Sequence, residues 1–164
     1  MDVVIETGGQ WPDAVERLLS DLSEWFELED ANRAYVESAR VLPSTAAFVD
    51  GEIVAVGLVH RHNPLAAELH LLAVRRDSHR LGIGRRMLDR ITADLRADGV
   101  KLLQVKTFGP SGDSPEYERT RKFYEAVGFI PLEERADIWG PENPCLILVK
   151  PLSTSPDSGG RGSS

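Results

Sequence analysis

The chain has 164 residues, 41% of them hydrophobic, with 26 Asp and Glu against 19 Lys and Arg and a single cysteine. That length supports one domain with one substantial core and leaves no room for a second. A net charge of -7 disfavours non-specific binding to nucleic acid or to an anionic membrane. One cysteine, Cys145, excludes an intrachain disulfide framework. The start, Met1-Asp-Val-Val-Ile-Glu6, has no basic region followed by an apolar stretch, and no run approaches the ~18 apolar residues of a membrane span, so a cytoplasmic protein is expected.

In chain order, Val3 to Glu6 reads as a short strand. Pro12 to Trp25 reads as a helix with Val15, Leu18, Leu19 and Leu22 in one stripe, and Glu29 to Arg40 as a second helix. Thr45 to Val49 and Glu52 to His62 flank Asp50-Gly51, the dipeptide favoured in two-residue hairpin turns. A looser loop containing Asn63-Pro64 leads to a strand from Glu68 to Val74, expected to run antiparallel to its predecessor. A glycine loop and a helix stopping at Gly99 follow, then a strand from Lys101 to Phe108. That strand-helix-strand unit predicts a right-handed crossover with parallel strands.

Ser114-Pro115 offers an N-cap and a first-turn proline to a helix ending at Gly128. Pro131, inside the strand from Phe129 to Ile138, predicts an edge position. The strand from Cys145 to Lys150 is too apolar for an edge and is expected beside Lys101 to Phe108, with Cys145 as a small buried residue. After Pro151 the Ser/Gly/Pro-rich tail predicts disorder, giving one domain over 1–152 and a disordered tail over 153–164.

The functional signal is densest around the glycine loop. After the apolar strand ending at Val74, the segment His79-Arg80-Leu81-Gly82-Ile83-Gly84-Arg85-Arg86 opens a helix whose apolar face is Ile83, Met87, Leu88, Ile91 and Leu95. A helix start leaves amide hydrogens unpartnered and carries about half a positive charge. Gly82 and Gly84 admit a ligand to that backbone, and Arg80, Arg85 and Arg86 add charge, so a phosphate or pyrophosphate is the expected ligand. A dinucleotide fingerprint would need a third Gly or Ala where Met87 stands, and a P-loop would need a Gly-Lys-Ser/Thr ending that is missing.

This loop resembles the Gln/Arg-x-x-Gly-x-Gly/Ala pyrophosphate loop of the GCN5-related N-acetyltransferase (GNAT) superfamily, with His79 in the first position and Arg80 one step later. Downstream, Arg121-Lys-Phe-Tyr124-Glu-Ala-Val-Gly-Phe129 is similar to the family segment that supplies a tyrosine near the cofactor sulfur. The resemblance implies an α/β, GNAT-like fold: a mixed, mostly antiparallel seven-stranded sheet with one central parallel splayed pair, flanked by about four helices. It implies acetyl-CoA as cosubstrate, with no metal, and acetyl transfer to a primary amine by direct attack. Residues 79 to 86 would bind the pyrophosphate, and Leu72, Ala73 and Val74 would hold pantetheine through their backbone. An amide near Leu72 or Ala73, at a family bulge, would stabilise the oxyanion.

Such a transfer needs the amine deprotonated, the oxyanion held and the thiolate protonated. Glu68 and His70 alternate with Leu69, which predicts one shared sheet face. The segment Glu68-Leu-His70-Leu-Leu-Ala-Val74 is similar to a His-x-His-x-Leu-Ala-Val strand within the superfamily whose paired histidines remove the amine proton. Glu68 and His70 are the candidate bases, His70 ranked slightly first because imidazole titrates near neutrality, with His60 and His62 next. Tyr124 is the candidate acid, since a phenol with a pKa near 10 stays protonated at pH 7.

Family members place the loop between their first two helices over the acceptor. Here that loop reads Glu24-Trp-Phe-Glu27-Leu-Glu29-Asp30, so a cationic amine is one expectation and a solvated helix end the other. Neither nucleic acid nor membrane is an expected partner, and a homodimer stays open. Two other readings compete: an acyl-CoA sensor without turnover, and a metal site built from His60, His62, Glu68 and His70.

Overall fold

Asp50 and Gly51 adopt φ values of 53° and 79°, the left-handed pair required by a type I′ turn. They close β2 (Ser44–Val49) onto β3 (Glu52–Asn63), as the dipeptide predicts. The structure, a computed structural model, describes residues 2–22, 29–112 and 114–152. The remaining strands are β1 (Val3–Gly9), β4 (Ala66–Val74), β5 (Leu102–Phe108), β6 (Ile130–Arg135) and β7 (Cys145–Pro151). Together the seven form a sheet ordered β1-β2-β3-β4-β5-β7-β6. The helices are α1 (Pro12–Asp21), α2 (Glu29–Ala39), α3 (Ile83–Ala97) and α4 (Pro115–Ala126), with a 3-10 segment over Arg76–Leu81. Among the described residues no helix is long and apolar enough to cross a membrane.

Every neighbouring pair is antiparallel except β4 and β5, which run parallel across the α3 crossover. The sheet is therefore mixed and mostly antiparallel, with the one parallel pair at its centre. β7 lies between β5 and β6, as its unbroken apolar run demands. β6, holding Pro131, takes the edge, where the missing amide hydrogen costs no ladder bond. That strand is shorter than Phe129 to Ile138, because 136–139 bend away. β1 is longer than expected: Thr7 pairs with Thr45 and Gly9 with Ser44 through a shift that polar, glycine-rich sequence does not advertise. The α1 helix stops at Asp21, and Trp25 lies outside the described residues.

The predicted stripe Ile83, Met87, Leu88, Ile91 and Leu95 is buried along its whole length, each side chain contributing about 1.5–3 kcal/mol relative to exposure. It covers one sheet face, while Val15, Leu18 and Leu19 of α1 cover the other. The α4 helix is held at both ends. Ser114 Oγ accepts from the Tyr117 amide at 3.4 Å, Arg121 Nη1 donates to Phe108 O at 2.6 Å, and Lys150 Nζ donates to Val127 O at 2.7 Å.

β4 changes faces partway along. Ala67 and Leu69 pack with Leu88, Ile91 and Leu95, whereas Leu71 and Ala73 pack with Val15, Leu18 and Leu19. The cause is a bulge: Leu58 opposes Leu71 and Val59 opposes Leu69, which leaves His70 as the extra residue. The bulge therefore sits at His70, and not near Leu72 or Ala73, which stay in regular register with Gly57 and Val56. The last parallel pair is Leu69 with Val105. Bulge and splay coincide, and beyond them the β5-side edge of β4 is open.

Candidate active site

The open edge of β4 leads to the glycine loop. The Arg75 amide donates to Val54 O at 2.7 Å, so the alternation of an antiparallel ladder turns Ala73 toward β3 and turns Leu72 and Val74 toward the splay. Ala73 is thus committed to its neighbour Val56, and of the three predicted backbone contacts Leu72 and Val74 face the opening. His79 Nε2 donates to Val74 O at 2.7 Å. This bond folds the 3-10 segment back onto the strand end, a structural role for the position that departs from the family pattern.

Gly82 ends the 3-10 segment in a left-handed conformation, φ 73°, and serves as the N-cap of α3 without a side-chain cap. A Cβ built there would meet nothing within 4 Å, so the space above the first-turn amides is open, as a bound pyrophosphate requires. Gly84 answers a different need: its Cβ would come 3.2 Å from Phe123 Cζ of α4, so this glycine sets the approach of two helices. Ile83 is buried, Leu81 and Arg85 are exposed, and Arg86 Nη2 reaches back to Val3 O at 3.5 Å. The side chain of Arg80 lies outside the described residues, as do all of Glu24 to Leu28 and the side chains of Glu29 and Asp30. The chain thus offers an anion cradle of backbone amides, flanked by Arg85, next to an open strand edge.

On the α2 side of the splay the sheet gathers polar groups. Because Ala67 and Leu69 face α3, Glu68 faces α2, and the bulge lets His70 share that side despite the broken alternation. The Glu68 carboxylate is 3.3 Å from Lys106 Nζ and 3.8 Å from His62 Nε2. His62 Nε2 donates to Gln104 Oε1 at 3.0 Å. The His60 and His62 rings meet edge-on at 5.2 Å, and the His70 ring lies 5.2 Å from that of Tyr35 on α2. Half-burial lowers the His70 pKa, with His60 and Lys106 adding to the shift and Glu68 opposing it, which favours the neutral imidazole. Burial also raises the Tyr35 pKa, helped by the Glu68 charge.

Tyr124, on α4, belongs to the core cluster that holds Leu69, Leu103 and Val105. It is 6% exposed, with its ring 5.4 Å from Phe123 and 5.3 Å from Phe129. Burial first, then Tyr35 and Tyr117, pushes its pKa well above the usual phenol value. Among the described residues its hydroxyl has no hydrogen-bond partner in the protein.

The structure thus brings Glu68, His70, His60 and His62 to one face, while Tyr124 belongs to the core cluster on the α3 side, with Tyr35 of α2 among the groups that act on its phenol. It adds Lys106, Gln104 and Tyr35, which sequence reasoning missed. Gln104 and Lys106 alternate with the buried Leu103 and Val105, a signal that would have placed them opposite the α3 core. No group of three His, Cys, Asp or Glu among the described residues is arranged to hold a metal ion, so the metal reading of His60, His62, Glu68 and His70 finds no support. A cavity of about 620 Å³ lined by Trp11, Arg17, Asp21, Phe48, Glu52 and Arg75 lies between α1 and the β2–β3 turn, apart from this cluster.

Solved structures share the fold at low identity. A GNAT-family protein from Desulfovibrio desulfuricans is 20% identical, with a TM-score of 0.77 over 93% of this chain and 100% of that one. The ribosomal-protein-S18-alanine N-acetyltransferase of Escherichia coli is 17% identical, with a TM-score of 0.73 over 94% and 96%. A GNAT family acetyltransferase from Elizabethkingia anophelis with acetyl-CoA bound is 16% identical, with a TM-score of 0.67 over 91% and 97%. No curated protein matches the sequence. The model of the GNAT acetyltransferase domain matches residues 42–131, which carry the hairpin, the splayed pair, the glycine loop, α3 and the Tyr124 helix. By that match over more than half its length, the chain belongs to the GNAT acetyltransferase superfamily.

Proposed function

We propose that this domain transfers the acetyl group of acetyl-CoA to a primary amine by direct attack within a ternary complex. What supports the reading is that two groups suited to proton handling flank the end of the parallel ladder at Leu69 and Val105: His70 follows Leu69 at the bulge, and Tyr124 shares the core cluster of Leu69 and Val105. Burial favours the neutral form of His70, and Tyr124 is a buried, protonated phenol on α4.

Acetyl-CoA supplies the thioester carbonyl when bound. The first-turn amides of α3, from the loop at Gly82, fit its pyrophosphate, and the Leu72 carbonyl and Val74 amide fit the pantetheine arm as an added strand pairs with an edge. The Leu72 amide, directed into the opening, is the donor placed for the oxyanion. His70 takes the proton from the attacking ammonium, directly or through one water. Glu68, engaged by Lys106 and His62, keeps the electrostatics of the base constant.

Tyr124 stabilises the sulfur as it leaves. Because burial raises the Tyr124 pKa above the ordinary phenol value near 10, complete proton transfer to a thiolate of ordinary pKa about 8.5 is uphill by more than about 2 kcal/mol. Burial raises the basicity of the thiolate as well, and a hydrogen bond from the phenol acts before transfer is complete. The buried, free Cys145 suits a reducing, cytoplasmic setting.

The test is thiol release from acetyl-CoA across a panel of amines, with the product followed by mass. Amine-dependent release with one acetyl group gained by the acceptor supports the transferase. Saturable acetyl-CoA binding with no release for any amine supports an acyl-CoA sensor instead.

A further inference from the structure

The acceptor face of the site has a charge distribution that the composition does not suggest. Although the chain carries a net charge of -7, the sole acidic side chain among the described residues of this cluster, Glu68, is 9% exposed. The groups in front of it are the Lys106 ammonium, 31% exposed, and the His62 imidazole, 38% exposed. His60 is exposed beside them, and His70 is half-exposed at the bulge. Among the described residues of this cluster, one ammonium and three imidazoles are therefore more exposed than the carboxylate, which is already paired with Lys106 at 3.3 Å.

The Lys106–Glu68 pair is neutral overall, but its ammonium is the more exposed end, so an acceptor bearing only positive charge gains little from the buried, balanced carboxylate. An acceptor bearing a carboxylate close to its amine is complementary. Its carboxylate meets the exposed ammonium of Lys106, while its amine reaches the neutral base. We infer that the acceptor is a small zwitterion of the α-amino-acid type, with its carboxylate on Lys106 and its amine at His70. The inference rests on the transferase reading and narrows it. It assigns Lys106 as the specificity-determining residue, held in place by Glu68 on β4 and by the parallel register that sets Gln104 beside Glu68.

Matched acceptors test this in the wild-type protein: an amino acid, the amine left by removing its carboxylate, and its carboxamide. The acid form is expected to show a kcat/KM at least about tenfold above both neutralised forms, carried by KM. Lys106→Met should raise KM for the acid form alone and collapse the preference to within a few-fold, while Lys106→Arg should retain it. Decarboxylated amines or carboxamides turning over as well as the acids would overturn the inference and leave the transferase intact. So would an equal kcat loss for all three acceptors in Lys106→Met, which marks Lys106 as a support for Glu68 only. Silence from every acceptor overturns the transferase reading, and this inference with it. The wild-type comparison decides the matter even if Lys106→Met folds poorly.

Discussion

Glu68 on β4 and Lys106 on β5 meet at 3.3 Å just where the parallel ladder ends at Leu69 and Val105. This ion pair ties Glu68, still within the ladder opposite Gln104, to the first β5 residue beyond the ladder's end, so it belongs both to the stability of the splay and to the electrostatics of the site.

Removing one partner leaves the other partly buried and uncompensated. Lys106→Met is expected to destabilise the fold by about 1–3 kcal/mol, discounted because Lys106 itself is partly exposed. Adding Glu68→Gln should restore part of that loss. Denaturant titration of both single variants and the double variant checks this through the coupling energy. Additive losses would show that the pair contributes nothing as a pair.

The glycine loop makes a two-part prediction. A side chain at Gly82 meets open space but must adopt φ 73°, so Gly82→Ala should cost about 1–2 kcal/mol of conformational strain. Gly82→Val should in addition obstruct the amides, weakening acetyl-CoA binding by at least one charge-assisted hydrogen bond, about 1.5–3 kcal/mol. Calorimetric titration alongside thermal melting separates the two effects. Unchanged affinity in Gly82→Val would remove the loop from the cofactor site.

The lowered pKa of His70 fixes the direction of a pH dependence. The neutral form is the base, so kcat/KM should fall on the acid side with a midpoint below 6.5, the ordinary histidine value. His70→Gln should remove that limb and lower the rate by roughly 10²- to 10⁴-fold. A flat profile in the wild-type protein, or an unchanged limb in His70→Gln, would move the role to His60, His62 or Glu68.

Local chemistry made much of the fold legible. Asp50-Gly51 marks the hairpin, Pro131 the edge strand, Ser114-Pro115 the start of α4, and the stripe from Ile83 to Leu95 the buried face of α3. The bulge at His70 has no such mark, because it is a mismatch between two strands and not a property of either. Motifs nominate Tyr124 and His70 as candidates, whereas none nominates Lys106. Its partner Glu68 is distant in sequence, and only the parallel register of β4 and β5 brings them together. The first position of the glycine motif also changed meaning: His79 secures the end of β4 through Val74 O.

Tyr124→Phe tests the account most directly, since it deletes one hydroxyl that has no protein partner among the described residues and leaves the ring packing against Phe123 and Phe129. The melting temperature should stay near that of the wild type, and acetyl-CoA affinity should stay within a few-fold. The single-turnover rate of acetyl transfer should fall by about 10²-fold, equivalent to roughly 2.7 kcal/mol of transition-state stabilisation. A folded variant that transfers at the wild-type rate would contradict the account, because the opening between β4 and β5 would then lack its acid.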